Sequence, residues 1–281
     1  MTPAHPDELL RAFDRALAGH GLHMAYQPKI ALSDGHFTGV EALMRWTDPM
    51  FGKVEPSHFI PLAEEHGRID DLTLWGLRTI LRQWRAFRDE GLDCAFSFNI
   101  SALSLQNLDF PDLVEWMCRG LEVPPDRIIL ELTEGSTQPL IKLMDTLTRF
   151  RIKGIALALD DFGTGYSSLL QLRHLPFTRL KVDRAFVSDL TTSRDCRIIV
   201  QAMIDLAHDL GIEATAEGVE TVEQLRLLRE MRCDWAQGYL IAAPMLPNEL
   251  QQWASTNPAA IRPLLGLSGS RERRIKADAL G

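Results

Sequence analysis

Short apolar runs alternate along this chain with longer stretches whose hydrophobic residues recur three and four positions apart, the pattern of strands followed by amphipathic helices. The strand candidates lie at 25–32, 38–46, 95–101, 128–133, 155–160, 179–182, 212–216 and 235–240. Between them, Leu74, Leu77, Leu81 and Trp84 form one apolar stripe, and Leu140, Leu143, Leu147 and Phe150 another. A third joins Ile199, Ala202, Met203, Leu206 and Leu210 and stops at Gly211. Thr221 with Gln224 predicts a capping box at the start of the helix after the seventh strand. Residues 1–20 set Leu9, Leu10, Phe13 and Leu17 against Asp7, Glu8, Arg11, Asp14 and Arg15, which predicts an amphipathic helix and not a secretory signal. Only the five residues 33–37, beginning Ser33-Asp34-Gly35-His36, separate the first two strands. That is too short for a helical crossover, so the pair is predicted to be an antiparallel hairpin. The whole order predicts an α/β fold, a TIM-like (β/α)8 barrel with one antiparallel strand, over residues 21–256, with a helix at 1–20 before it and a tail at 257–281 after it.

Composition narrows the class. A chain of 281 residues with 46% hydrophobic and 24% charged residues is globular, and no run approaches the roughly 20 apolar residues needed to span a membrane. Cys94, Cys118, Cys196 and Cys233 are far apart and form no CxxC pair, which predicts buried thiols in a reducing compartment and hence the cytoplasm. The net charge of −8 argues against binding to a nucleic-acid polymer, and the one basic run, residues 271–276, lies in the tail, read as solvated from about Ser268. The roughly 20 residues on either side of the barrel are too few for a sensory domain. The chain is therefore expected to stand alone or to be part of a larger protein.

The chemistry concentrates where strands end. Residues 155–159 carry no polar side chain and run directly into Asp160-Asp161-Phe162-Gly163-Thr164-Gly165. Two carboxylates at the mouth of a buried strand repel, so either one is protonated or a cation sits between them. The plainer reading, that Asp161 only starts a turn and caps the next helix, stays open for this segment alone. Other strands end in the same way: Glu41 and Arg45, Asn99, Glu131 and Glu134, Lys181 and Asp183, Glu217 and Glu220, and Gln237 all fall at or just past the carboxyl ends. In a barrel these positions converge on one face, the face that carries the chemistry of such folds. Burying so many carboxylates without cations is costly. Oxygen donors with one Asn and no His or Cys select magnesium, manganese or calcium, and a shared carboxylate, Asp160, would let two ions work together on a phosphoester.

These residues stand in motifs that resemble the EAL domain family of bacterial phosphodiesterases acting on cyclic dimeric GMP. The motifs occur in order: Tyr26-Gln27-Pro28, Glu41-Ala42-Leu43-Met44-Arg45-Trp46, Phe98-Asn99-Ile100-Ser101, Glu131-Leu132-Thr133-Glu134 and the run at 160–168. They continue with Leu180-Lys181-Val182-Asp183-Arg184, Ala216-Glu217-Gly218-Val219-Glu220 and Gln237-Gly238-Tyr239-Leu240. The resemblance implies a barrel with one reversed strand and hydrolysis of cyclic di-GMP to linear 5′-pGpG. It implies that Glu41, Asn99, Glu131 and Asp160 bind one divalent ion and Asp160, Asp161 and Glu217 a second, Mg²⁺ or Mn²⁺, with Ca²⁺ inhibitory. It makes Lys181 and Glu217 catalytic, and places Gln27, Leu43, Arg45, Asp183, Glu220 and Gln237 near substrate. Glu134 would steady the 161–168 loop, through which the family forms homodimers. One departure is Ala243, where a basic residue is common.

Two rival readings remain at the level of sequence. One is a module of the same fold that binds the dinucleotide without cutting it. The other is an enolase-type or aldolase-type barrel using Lys181 as base or Schiff-base amine.

Overall fold

The computed structural model describes residues 6–133, 140–163, 172–256 and 258–266. Strands β1 (Leu22–Ala31), β2 (Phe37–Asp48), β4 (Ala95–Asn99), β5 (Ile128–Thr133), β6 (Ala156–Phe162), β7 (Arg179–Val182), β8 (Glu213–Ala216) and β9 (Trp235–Gln237) close an eight-stranded barrel; the short β3 (Gly52–Val54) is added to the end of β2. β1 runs antiparallel to both of its neighbours, β2 and β9, while the other barrel pairs are parallel. The predicted hairpin is present. Its turn is made by Gly35, at φ 74, and by Asp34, whose Oδ1 accepts the amide of His36 at 2.9 Å.

The helices described are α1 (Pro6–Leu17), α2 (Pro56–Glu65), α3 (Ile69–Asp89), α4 (Phe110–Gly120), α5 (Leu140–Ile152), α6 (Arg184–Ser188), α7 (Arg194–Asp209), α8 (Val222–Glu230), α9 (Pro247–Thr256) and α10 (Pro258–Leu264). Period-two alternation sorts each strand. Phe96, Phe98, Leu130, Leu132, Leu157, Leu159, Leu180 and Val182 belong to the main hydrophobic core, shared with Leu77, Leu81, Trp84, Leu143, Leu147 and Phe150 of the helices. The alternate positions Lys29, Glu41, Ser97, Glu131, Asp160, Lys181, Thr215 and Gln237 are equally buried yet polar, and the hydrogen bonds among them run through the barrel interior. The barrel is thus apolar outside and polar within.

Two elements depart from the sequence pattern. On α7 the buried face is Val200, Met203, Ile204 and Ala207, and the predicted stripe residues Ile199, Ala202 and Leu210 are exposed. Apolar residues occupy more than half of that helix's circumference, so spacing alone does not choose the face; the sheet does. Residues 258–266, placed in the tail by sequence, include α10, and Ile261 and Leu265 join the main core. At the other end α1 docks Ala12, Phe13 and Ala16 into a second core with Trp46, Phe59 and Leu72, the Phe13 and Trp46 rings meeting edge-on at 5.5 Å. Among the described residues no helix is long and apolar enough to cross a membrane.

Candidate active site

Strand register brings the polar residues together. Gln27 pairs with Glu41, Lys29 with Gln237, Asn99 with Glu131, Thr133 with Asp160 and Lys181 with Thr215. Lys181, 1% exposed, forms the centre. Its Nζ lies 2.6 Å from Glu131 Oε2, 2.7 Å from Glu217 Oε1, 2.9 Å from Asp160 Oδ2 and 3.7 Å from Glu41 Oε2. Burial works against the ammonium, but the carboxylates around it, Glu131 foremost, hold its pKa well above the ordinary lysine value.

The carboxylates respond unequally. Burial pushes Glu131 up, yet the charges of Lys181 and Lys29 overturn this and bring it below the usual range. Burial raises Asp160 and Glu217, and other carboxylates add to it, while Lys181 opposes the rise. Asp161 is raised by burial and then by the adjacent Asp183. Five carboxyl groups thus share the buried end of the barrel with two ammonium groups, an excess of negative charge that only further cations or protons can relieve. Two trios are close enough to hold an ion each: Glu41, Glu131 and Asp160, and Asp160, Asp161 and Glu217, with ligand atoms within 4.8 Å of one another. Asp160 is common to both. All donors are hard oxygens, which fits hard divalent cations over zinc or copper.

Local backbone geometry aims the shared pair. Asp161 has φ 55, in the left-handed region, and its amide donates to Asp160 Oδ1 at 2.8 Å. A non-glycine residue there is strained, and such strain gathers at functional sites. Asn99 Nδ2 donates to Glu41 Oε1 at 2.9 Å, and Gln237 Nε2 donates to Glu41 Oε2 at 2.7 Å and to Gln27 Oε1 at 2.8 Å. Gln27 in turn donates to the Ala242 carbonyl at 3.0 Å.

Two cavities meet over this cluster. One, of about 200 Å³, is lined by Gln27, Glu41, Leu43, Asp160, Lys181, Glu217, Glu220 and Gln237 together with Arg184, Gly218 and Tyr239. The other, of about 340 Å³, includes Leu43, Arg45, Asn99, Asp160 and Asp161 beside apolar Ile60, Ile69 and Phe98. Leu43 and Asp160 border both. Of these two Arg45 borders only the second, and it also borders a separate cavity beside His23 and Glu249; its guanidinium donates to the Met44 carbonyl at 2.9 Å. Asp183 caps α6, Oδ1 accepting the Ala185 amide at 2.8 Å. The amide of Glu220 donates to Gln224 Oε1, part of the capping box, which leaves the exposed Glu220 carboxylate to the cavity wall. Glu134 and residues 164–168 lie outside the described residues, so their expected loop and dimer roles are not placed.

Sequence reasoning passed over Lys29, Ser97, Arg184 and Tyr239. Lys29 shares the inward face with Gln27, two residues before it, and Ser97 likewise precedes Asn99; period-two counting from the motif residues finds both. Tyr239, 68% exposed at the cavity edge, carries no such pattern.

An α/β barrel with one reversed strand, and with its acidic, lysine-centred cluster at the carboxyl ends of the strands, defines the class. Residues 10–244 match the family model of the EAL domain, and the chain belongs to that family. It is 38% identical over 247 residues to a cyclic di-GMP phosphodiesterase of Pseudomonas aeruginosa, covering 87% of this chain and 42% of the relative. To the cyclic di-GMP phosphodiesterase RocR of the same organism it is 37% identical over 222 residues, covering 78% of this chain and 56% of RocR. The chain thus spans only about half the length, or less, of these relatives. The structure of the PaMucR phosphodiesterase in complex with c-di-GMP superposes with a TM-score of 0.81 at 37% identity, covering 86% of this chain and 99% of that one.

Proposed function

We propose that this barrel is a divalent-metal-dependent phosphodiesterase that opens cyclic di-GMP to linear 5′-pGpG. The observation that carries the reading is the pair of acidic trios sharing Asp160 around the Lys181 ammonium. The relatives named for this activity, and the PaMucR complex with the dinucleotide, support the choice of substrate.

Glu41, Asn99, Glu131 and Asp160 would hold one ion, Mg²⁺ or Mn²⁺, and Asp160, Asp161 and Glu217 the other. Bound there, such ions lower the pKa of a coordinated water and neutralise charge on the phosphoryl group. The water oxygen forms the new bond to phosphorus and the bond to the 3′ oxygen breaks; that oxygen takes up a proton from solvent, leaving a 5′-phosphate on one guanosine and a 3′-hydroxyl on the other. Lys181, held among the carboxylates, places a fixed positive charge where negative charge builds on the phosphoryl oxygens. Glu217, 17% exposed and open to the cavity, takes the water proton. The two cavities meeting at Leu43 and Asp160 give a ring with two bases a lobe on each side of the reacting centre. Arg45 and Arg184, one in each lobe, offer charge to the phosphates. The buried Gln237 Oε1, without a partner among the described residues, is an acceptor for a bound water or for substrate.

Chromatography of the products formed from cyclic di-GMP with Mg²⁺, with Mn²⁺ and after chelation tests the reading. Metal-dependent appearance of pGpG is expected, with Ca²⁺ inhibiting. Binding of the dinucleotide without any turnover would make the domain a receptor and refute the catalytic claim.

A further inference from the structure

Glu131 is gripped from two sides. Lys181 Nζ meets Oε2 at 2.6 Å and Lys29 Nζ meets Oε1 at 2.7 Å, with Ser97 Oγ accepting a second bond from Lys29 at 2.9 Å. All of these groups are buried, Lys29 at 5%, Ser97 at 1% and Glu131 at 1% exposure. The two lysines differ in what else they touch. Lys181 also reaches Asp160, Glu217 and Glu41, so it shares its carboxylates with both candidate ion sites. Lys29 pairs with Glu131 alone among the carboxylates of the described residues. It arrives on β1, the reversed strand, and lines a separate cavity of about 200 Å³ with Gly39, Ala95, Ser97 and Arg179, near the amino ends of the parallel strands. It borders neither cavity over the cluster.

We infer that Lys29 is a positioning residue of the metal centre. The terminal torsion of a glutamate is broad and roughly two-fold, so a carboxylate held by one oxygen can still swing the other. Lys29, pinned by Ser97, fixes Oε1 on the far side and leaves Oε2 turned to the centre, whether the cation facing it is Lys181 or a divalent ion. Lys181 does not serve that purpose by itself, because its ammonium divides its contacts among four carboxylates and meets Glu131 on Oε2, the side that faces the centre. Partners that orient a ligand from behind are commonly worth about 10–100-fold in metal affinity.

The inference rests on the metal-centre reading above, and the test separates the two. Mn²⁺ binding is measured by calorimetry on metal-free wild type, Lys29→Met, Ser97→Ala, Glu131→Gln and the Lys29→Met/Glu131→Gln double variant, with circular dichroism as the check on folding. Absence of Mn²⁺ uptake by the wild type removes the metal-centre reading itself. Lys29→Met is expected to bind Mn²⁺ about 10–100-fold more weakly, and Ser97→Ala more weakly by a smaller factor. In the Glu131→Gln background Lys29→Met is expected to add little, because the lysine acts through that carboxylate. For Lys29→Met and Ser97→Ala, the Mn²⁺ concentration that gives half-maximal turnover should rise by the same factor as the measured loss of Mn²⁺ affinity. Wild-type Mn²⁺ affinity in folded Lys29→Met overturns the inference, as does a full, independent loss in the Glu131→Gln background. Should Lys29→Met not fold, wild-type Mn²⁺ affinity in Ser97→Ala overturns it instead.

Discussion

At the scale of single residues the site is an arrangement of charge in a dry place. Lys181 is the only described cation in contact with both acidic trios, so removing it has two separable effects. Taking one partner from a buried ion cluster costs about 3–5 kcal/mol, and Lys181→Met should destabilise the metal-free protein by that order. Denaturant unfolding with and without Mn²⁺ checks this, and added metal is expected to restore more stability to the variant than to the wild type. Loss of a group that steadies charge in the transition state also slows chemistry, so kcat is expected to fall about 10²–10⁴-fold while affinity for cyclic di-GMP changes far less. The cysteines give a second residue-scale test. Burial pushes the thiols of Cys94 and Cys233 up to about 12 and that of Cys118 up to about 11. A raised pKa keeps the unreactive thiol form across neutral pH. An alkylating reagent at pH 8 is therefore expected to label native protein quickly only at the half-buried Cys196, and mass spectrometry of the labelled peptides reads the outcome.

At the scale of elements, short stops and close approaches hold the strand ends in place. The α8 capping box satisfies the Gln224, Thr221 and Glu220 amides together, directly after the loop that carries Glu217. Thr221→Ala should cost about 1 kcal/mol in chemical denaturation, the usual worth of such a cap. Gly238 is under a stricter constraint. A Cβ there would overlap the backbone N and O of Val219, which cannot move aside as a side chain can. Gly238→Ala must therefore pry β9 and its following turn from the loop after β8. That turn carries Ala242, whose carbonyl holds Gln27, and β9 itself carries Gln237. A loss of about 1–3 kcal/mol is expected, together with reduced turnover from a displaced Glu41, measured by denaturation and by product chromatography.

At the scale of the whole molecule, metal and fold are expected to be linked. Ions that bind the native barrel and not the unfolded chain stabilise it by mass action, about 2.7 kcal/mol at 100 times the dissociation constant. Chelation should lower the melting temperature and Mn²⁺ should restore it, as calorimetric scanning would show. Asp160→Asn removes the carboxylate common to both trios, and it should abolish turnover while circular dichroism reports an intact barrel. Metal-dependent turnover by a folded Asp160→Asn protein would refute the shared-ligand arrangement.

Much of this was legible in the chain. The order of strands and helices, the reversed first strand and the placement of Glu41, Glu131, Asp160, Lys181 and Glu217 at or near strand ends follow from local signals: period-two runs, a short hairpin turn and charges where apolar runs stop. Each is fixed within a few residues, so the sequence determines it without knowledge of neighbours. What the tertiary structure decided depends on partners far apart in the chain. The helical face of α7 was chosen by the sheet it packs on, because its own apolar residues allowed more than one. Arg45 and Asp183 share motifs with cluster residues, yet one turns into the second cavity and the other caps a helix. Lys29 meets Glu131 across 102 residues of chain. Strand alternation places a side chain on a face, but which charges come into contact there is set by barrel closure and register, and only the folded chain contains that information.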